Sequence, residues 1–302
     1  MKILLTGASG FLGRSISKQL SNKHNFIYSL SKTSGDYKIS LSEDVPNFEQ
    51  NFELVIHTAG KAHKTPNTKF EVQEIYNVNV NGTSNLLIGL EKTVLPQQFV
   101  FISSVSVYGL EFGLNIREEH ELLAKDSYGL SKIKAEKLIY EWCKKHKIIC
   151  TILRLPLVVG ANPPGNLGAM IKAIKRGYYF NIAGGKTKKS MVLIDDVAKN
   201  ILKAAKVGGV YNLTDGYHPS FVEISNLISK QLKKNNSLNI PMWIAKIISY
   251  VGNLMGTKAL LNTNKLNKIR SDLTFDDSKA KEAFSWMPSP VLKVFKINDS
   301  NF

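Results

Sequence analysis

The residues in this sequence with the strongest claim to chemistry are Tyr128 and Lys132 in "YGLSK" and Ser104 at the end of "FVFISS". Tyr128 and Lys132 are four apart in a helical pattern that runs on to Lys147, so they share a helix face. A free phenol, with a pKa of about 10, is a poor acid–base group near neutrality. An ammonium nearby favours the phenolate and draws that value down, which makes the pair a device for exchanging a proton with an alcohol or carbonyl oxygen. Ser104 follows an apolar strand-like run, where a parallel sheet exposes its ligand edge, and can hydrogen-bond the same oxygen. Such Tyr–Lys spacing also occurs on plain helix surfaces, so the surrounding elements must decide.

"KILLTGASGFLGRS" places Gly7, Gly10 and Gly13 between an apolar strand and a helical pattern. Glycines here tighten the turn, admit a pyrophosphate to the backbone and let the helix pack on the sheet, while the helix N-terminus faces the phosphates. The spacing is G-x-x-G-x-x-G rather than G-x-G-x-x-G. A dinucleotide carrying a hydride would supply the partner reaction for the Tyr128 proton. The acid that often holds the adenosine ribose is missing after "FIYSL": Ser31 and Lys32 stand there, and the first carboxylate is Asp36. Serine and lysine suit a ribose 2′-phosphate, so the sequence favours NADP while leaving NAD open.

These residues need a scaffold, and the pattern supplies one. The apolar runs "MKILLTG", "NFIYSLS", "ELVIHTAG", "QFVFISS" and "IICTILRLP" alternate with helical stretches such as Glu71 to Lys92 and Tyr128 to Lys147. Buried strands alternating with helices predict an α/β fold, a doubly wound parallel sheet. Residues 1–155 are read as a dinucleotide-binding domain, with 190–215 returning to its sheet. Residues 156–189 and 216–302 are read as a smaller C-terminal lobe for substrate. A chain of 302 residues, 43% hydrophobic, has enough apolar surface for both.

Composition narrows the function classes. The net charge of +16 raises nucleic-acid binding, but the lysines are scattered over helical patterns, with no aromatic-rich RNA-binding signature and no zinc-finger spacing. Attraction for a polyanionic small molecule is the preferred reading. The start, "MKILLTGASGFLG", does not read as a signal peptide. The run Ile240 to Gly256 contains Lys246 and is short for a membrane span, so it is read as a helix packed on the protein rather than lying on a membrane. Cys143 and Cys150 show no metal-ligand spacing and no disulfide framework, which suggests reduced thiols in a cytoplasmic protein and no metal site. His57, at a strand end, reads as a packed histidine; Lys61 and His63 could be solvated loop residues.

"TGASGFLG", "HTAG", "NVNVNGT", "ISSVSVYG" and "YGLSK", in this order, resemble the extended short-chain dehydrogenases, the NAD(P)-dependent epimerase/dehydratase family acting on nucleotide sugars. The likeness continues through "LRLPLVVG", "KSMVLIDDVA" and "SKAKEAFSW". The resemblance implies that Gly7, Ser9, Gly10, Phe11, Leu12 and Gly13 hold the pyrophosphate and adenosine side, with Ser31 and Lys32 near the ribose. It implies cofactor contacts at Ala59, Gly60, Lys61, Ser103, Leu155 and Pro156, and a bracing role for Asn79, which could equally be purely structural. Ser104, backed by Ser106, would hold the sugar oxygen, Tyr128 would be the acid–base, and Lys132 would bind the nicotinamide ribose. Asn166, Lys189 and Arg270 would meet the nucleotide diphosphate; Lys189 replaces a usual arginine and loses bidentate geometry. Val105 and Ser106 stand where the family's 4,6-dehydratases carry an Asp-Glu pair, which argues against dehydration. The likeness is greatest to bacterial reductases of UDP-4-keto-6-deoxy-N-acetylhexosamines. A UDP-sugar 4-epimerase of the UDP-GlcNAc or UDP-glucose type, with tightly bound NAD, is the alternative, and a non-catalytic NAD(P)-binding module a remote one. The family also implies a homodimer.

Overall fold

The computed structural model describes residues 1–21, 25–61, 66, 68–254 and 262–298. The chain opens with β1 (Lys2–Thr6), of which Ile3 to Thr6 are wholly buried, as a strand covered on both faces requires. In order there follow α1 (Phe11–Leu20), β2 (Phe26–Ser31), β3 (Tyr37–Lys38), β4 (Leu54–His57), α2 (Lys69–Tyr76), α3 (Gly82–Leu90), β5 (Gln98–Ser104), β6 (Gly113–Ile116), α4 (Ser127–His146) and β7 (Ile149–Leu155). Next come β8 (Leu157–Val159), α5 (Gly165–Lys175), β9 (Phe180–Ile182), β10 (Met191–Leu193), α6 (Ile194–Val207), β11 (Gly209–Asn212) and α7 (Phe221–Gln231). The chain continues with β12 (Leu238–Ile240), α8 (Met242–Leu254), α9 (Thr263–Arg270), β13 (Leu273–Phe275), α10 (Ser278–Phe284) and α11 (Val291–Val294).

Seven strands form one parallel sheet in the order β11-β7-β5-β4-β1-β2-β3. Strand order reverses between β1 and β4, the point at which a doubly wound sheet opens its ligand crevice. The register sets Thr6 beside His57, His57 beside Phe101, and Ser104 beside Leu155. The segments that follow these strands therefore line one edge. Helices α1, α6 and α10 cover one face of the sheet, through Ile16, Ile201 and Phe284 among others; α3 and α4 cover the opposite face through Leu86, Leu90, Ala135 and Ile139.

Several elements depart from the sequence reading. The predicted helix from Glu71 to Lys92 is interrupted by a π-helical turn, Asn77–Asn81, which carries a buried Asn79. Of the 190–215 segment, β11 joins the large sheet, whereas β10 pairs with β8. Ala280, Phe284 and Trp286 pack with Ile201 and Tyr211 on the large sheet rather than with the apolar cluster around Val159, Ile171, Ile224 and Val291. Residues 105–126 form a strap between β5 and α4, pinned from far along the chain: β6 pairs with β13, Gly113 donates to the Asp272 carbonyl at 2.9 Å, and Asp276 to that of Ile116 at 2.9 Å. Helix α8 does pack on the protein, but through Ala245, Ser249 and Gly252, while Trp243, Ile247, Tyr250, Val251 and Leu254 face outward. Among the described residues, no helix is long and apolar enough to cross a membrane.

Candidate active site

The glycine-rich turn closes on itself. Gly7 has φ +69, a conformation that favours glycine, and its N–H donates to the Leu30 carbonyl at 2.8 Å. A Cβ on Gly7 would lie 2.6 Å from the Ala59 nitrogen, and one on Gly13 would lie 2.1 Å from the Gly7 oxygen. Gly10 caps α1 with no side-chain hydrogen bond, so side chains leave the first turn of the helix uncapped. Ser9 is exposed, and its carbonyl accepts from Arg14 Nη1 at 2.8 Å. Phe11 reaches toward Gly160, where a Cβ would meet its ring at 2.9 Å, and Leu12 packs against the sheet core. This cradle, open at a helix N-terminus and too tight for side chains, fits a dinucleotide pyrophosphate.

At the end of β2, the Ser31 hydroxyl donates to the Ser34 carbonyl at 2.6 Å, and Lys32 is exposed. Asp36 turns back to accept from the Ser29 N–H at 2.8 Å and the Ser29 hydroxyl at 2.7 Å, bonds that hold its carboxyl below the usual carboxylate range. The first acid after β2 is thus engaged with Ser29.

Beyond β4, Asn79 clamps the turn at Gly60. Its Oδ1 accepts from the Lys61 N–H at 2.7 Å and its Nδ2 donates to Ser131 Oγ at 2.9 Å, tying this turn to α4. A Cβ on Gly60 would lie 3.2 Å from Asn79 Oδ1 and 3.6 Å from Lys132 Nζ, so Gly60, Asn79 and Lys132 meet at one spot. The Lys61 ammonium pairs with Glu74; His63 lies outside the described residues. His57 is a packed histidine: its ring nitrogens lie 2.6 Å from Thr6 Oγ1 and 3.0 Å from Thr83 Oγ1, it stacks on Phe101, and burial pulls its pKa down to about 3.

Ser104 ends β5 and caps the short 3-10 turn Val105–Tyr108. Its hydroxyl accepts from the Ser106 N–H at 3.2 Å and donates to Ser106 Oγ at 3.1 Å. The same side chain hydrogen-bonds the Tyr128 hydroxyl across the strap, which brings the two predicted residues together. Asp126 caps α4 by accepting from the N–H groups of Tyr128 and Gly129, each at 3.1 Å, and so fixes the first turn from which Tyr128 projects. Lys132 is buried one turn on. It donates to the Ile102 carbonyl at 2.8 Å and lies 4.4 Å from the centre of the Phe101 ring.

The electrostatics differ from the sequence expectation. Burial pushes the Tyr128 phenol above its ordinary value; the Ser104 hydrogen bond opposes this and the Asp126 carboxylate adds to it. Lys132 is committed to the Ile102 carbonyl in the sheet, and desolvation pulls its own pKa to about 8, with Glu136 opposing. Burial thus works against the lowered phenol pKa that the Tyr128–Lys132 spacing suggests.

Behind the site lies a buried polar network that the motif reading passed over. The Ser103 hydroxyl donates to Glu136. Arg154 grips Glu136 with Nη2 at 2.8 Å and Nε at 3.2 Å, and its Nη1 reaches the Tyr108 hydroxyl and the Glu118 carbonyl, both at 3.1 Å. Tyr108 donates to Asn212 Oδ1 at 2.8 Å. The signal was present: an arginine inside an apolar strand must find a buried partner, and Glu136 is one turn beyond Lys132.

Leu155 is buried beside Ser104, and Pro156 follows it half-buried. Farther out, Lys189 Nζ donates to the Ser271 carbonyl at 2.9 Å, next to Arg270 at the exposed end of α9. Asn166 is exposed in the first turn of α5.

Comparison with known proteins agrees with this geometry. The family described as "NAD dependent epimerase/dehydratase family" matches residues 3–214. The chain is 28% identical to a UDP-glucose 4-epimerase of Vibrio cholerae, over 96% of this chain and 92% of that protein. It is 27% identical to the N-acetyl-alpha-D-glucosaminyl-diphospho-ditrans,octacis-undecaprenol 4-epimerase of Escherichia coli O157:H7, over 92% of this chain and 88% of that one. In fold it is similar to the solved structure of RMD from Pseudomonas aeruginosa complexed with NADPH, with a TM-score of 0.74 at 20% identity, covering 97% of this chain and 95% of that chain.

Proposed function

The chain belongs to the NAD-dependent epimerase/dehydratase family, and from that premise we propose that it reduces the C4 ketone of a UDP-4-keto-6-deoxy-N-acetylhexosamine. When bound, NAD(P)H would supply the hydride that C4 receives. Tyr128 gives its phenolic proton to the C4 oxygen, Ser104 hydrogen-bonds that oxygen, and Lys132 binds the nicotinamide ribose. The ketone gains one hydride and one proton and becomes an alcohol. The observation that carries this reading is the Ser104–Tyr128 hydroxyl pair, with burial raising the phenol's pKa and so favouring its protonated form. A protonated phenol is ready to give a proton to a ketone, whereas oxidation of an alcohol asks it first to accept one.

The second reading is a UDP-sugar 4-epimerase, favoured by the 4-epimerases among its relatives. There Tyr128 first takes the C4 hydroxyl proton, and the hydride returns to the other face within one site. One experiment separates them. Purified protein receives the 4-keto substrate with NADPH or NADH, and UDP-GlcNAc with no added cofactor in a parallel tube. Stoichiometric loss of reduced cofactor with no epimer supports reduction; epimer without net cofactor change overturns it.

The cofactor reading leans to NADP, because Lys32 is exposed at the end of β2 while Asp36 is held on Ser29. Residues 156–189 and 216–302, apart from α10 and Trp286, which pack on the large sheet, form the substrate lobe in this proposal, with Lys189, Arg270 and Asn166 toward the diphosphate. Exposed Phe70, Val72, Ile88, Leu130 and Tyr140 on α2, α3 and α4 support a homodimer through these helices, which light scattering of the purified protein tests.

A further inference from the structure

Helix α8 is packed with its small residues inward and its large ones outward. Ala245, Ser249 and Gly252 are buried, with Leu266 of α9 in the same small cluster. On the opposite side Trp243 is 64% exposed, Ile247 57%, Tyr250 67%, Val251 60% and Leu254 90%. These five follow the 4-3-1-3 spacing of one helical stripe, so they form a continuous apolar face rather than scattered singles. Leu238, on the preceding strand β12, is 78% exposed as well.

The charge along this stretch of the sequence has one sign. Between Ile224 and Ser271 the sequence has eight Lys or Arg residues and no Asp or Glu. Within α8 the sole charged residue is Lys246, which is exposed. A second copy of the chain laid face to face here would set two basic segments against each other. An anionic surface that is apolar just beneath its charge matches both features. Tryptophan, tyrosine and aliphatic side chains on a helix that carries a lysine, within a basic stretch of sequence, suit a segment that lies in a bilayer interface.

We propose that α8 is an interfacial docking helix that seats the protein on an anionic lipid bilayer, with Trp243, Ile247, Tyr250, Val251 and Leu254 in the headgroup boundary. Thirteen residues of helix span about 20 Å, so α8 lies along the surface rather than across the membrane. Helix α8 packs on α9, whose end carries Arg270, so docking orients the lobe proposed to receive the diphosphate.

The test is flotation of the full chain with vesicles of phosphatidylethanolamine and phosphatidylglycerol, beside vesicles of phosphatidylcholine alone. The wild type floats with the anionic vesicles, less so at high salt, and stays behind with phosphatidylcholine. Trp142 and Trp286 are buried at 8% and 1% exposure, so Trp243 fluorescence reports the contact by a blue shift on anionic vesicles. The double variant Trp243→Ser/Leu254→Ser changes exposed residues only and keeps the wild-type circular dichroism. Its partitioning falls about tenfold or more, as expected when two large side chains no longer enter the interface. Absence of wild-type flotation, equal flotation of the double variant, or equal flotation on phosphatidylcholine overturns the proposal. So does self-association that the double variant abolishes, which would make a second copy the occupant. None of these readouts depends on turnover, so the docking reading and the reductase reading fail separately.

Discussion

Removing the Glu136 carboxylate tests the network behind the site. Glu136 accepts from Ser103 and twice from Arg154, and the side chains of Glu136 and Arg154 are each 6% exposed. Glu136→Ala leaves a buried guanidinium with its main partner gone. Breaking a buried ion pair in this way costs about 3–5 kcal/mol, because the surviving charge keeps its desolvation penalty. Glu136→Gln preserves shape and one acceptor and costs about 1–3 kcal/mol. The double variant Glu136→Leu/Arg154→Met removes both charges and recovers much of the loss, since an apolar pair of similar volume has nothing left to desolvate. Urea unfolding of the wild type, Glu136→Leu, Arg154→Met and their double variant, arranged as a double-mutant cycle, gives the coupling directly. Ser103 adjoins Ser104, and Glu136 is one turn from Lys132, so turnover falls with stability in Glu136→Ala. A loss below about 1 kcal/mol in Glu136→Ala, or a double variant as unstable as the sum of the singles, would refute the reasoning.

Four further outcomes follow. Tyr128→Phe lowers kcat by about 10²–10⁴ while leaving cofactor affinity near wild type by fluorescence titration; unchanged turnover would remove Tyr128 from its role. Lys132, at about 8 in the fold against the usual 10.5, is more protonated in the unfolded chain between these values. Its contribution to stability therefore rises with pH from about 8 to 10.5, and its cation is lost above about 8, so NAD(P)H affinity declines there. Lys132→Met flattens both profiles in urea melts and cofactor titrations. Lys32→Asp shifts the NADPH-to-NADH preference in kcat/KM by about tenfold or more toward NADH, because a carboxylate repels the 2′-phosphate; an unchanged ratio would place the ribose elsewhere. Gly13→Ala would force a Cβ to 2.1 Å from the Gly7 oxygen, so the loop opens and calorimetric cofactor binding weakens by about tenfold or more.

The parts legible in the sequence were those governed by local chemistry. The glycine turn, the ends of β4 and β5, and the i to i+4 relation of Tyr128 and Lys132 follow from periodicity and glycine sterics, and each stands where the pattern put it. Family resemblance added Asn79 and the lobe residues, which no spacing rule singles out. What the sequence hid was tertiary. The Tyr128 pKa depends on how deeply the phenol is buried and on where the Lys132 ammonium is spent, neither of which the pattern records. The π-helical turn at Asn77–Asn81 lies within a continuous helical run, where the sequence pattern does not mark the wider hydrogen-bond ring. An apolar run such as Ile240 to Gly256 signals a helix but not which side meets the protein, and the small residues of α8 took the inside.

The strap pinned by β13 has a consequence for the order in which this fold is completed. Ser104 and Tyr128 flank residues 105–126, yet β6 within that strap takes its strand partner from residues 273–275. A ribosome will have released nearly the whole large sheet, through β11 at residue 212, before that partner emerges. The nascent chain can build its glycine turn early, while the strap between Ser104 and Tyr128, already tied to Arg154 and Asn212, still lacks its strand partner. The strap's strand pairing is thus completed only late in synthesis, when β13 emerges.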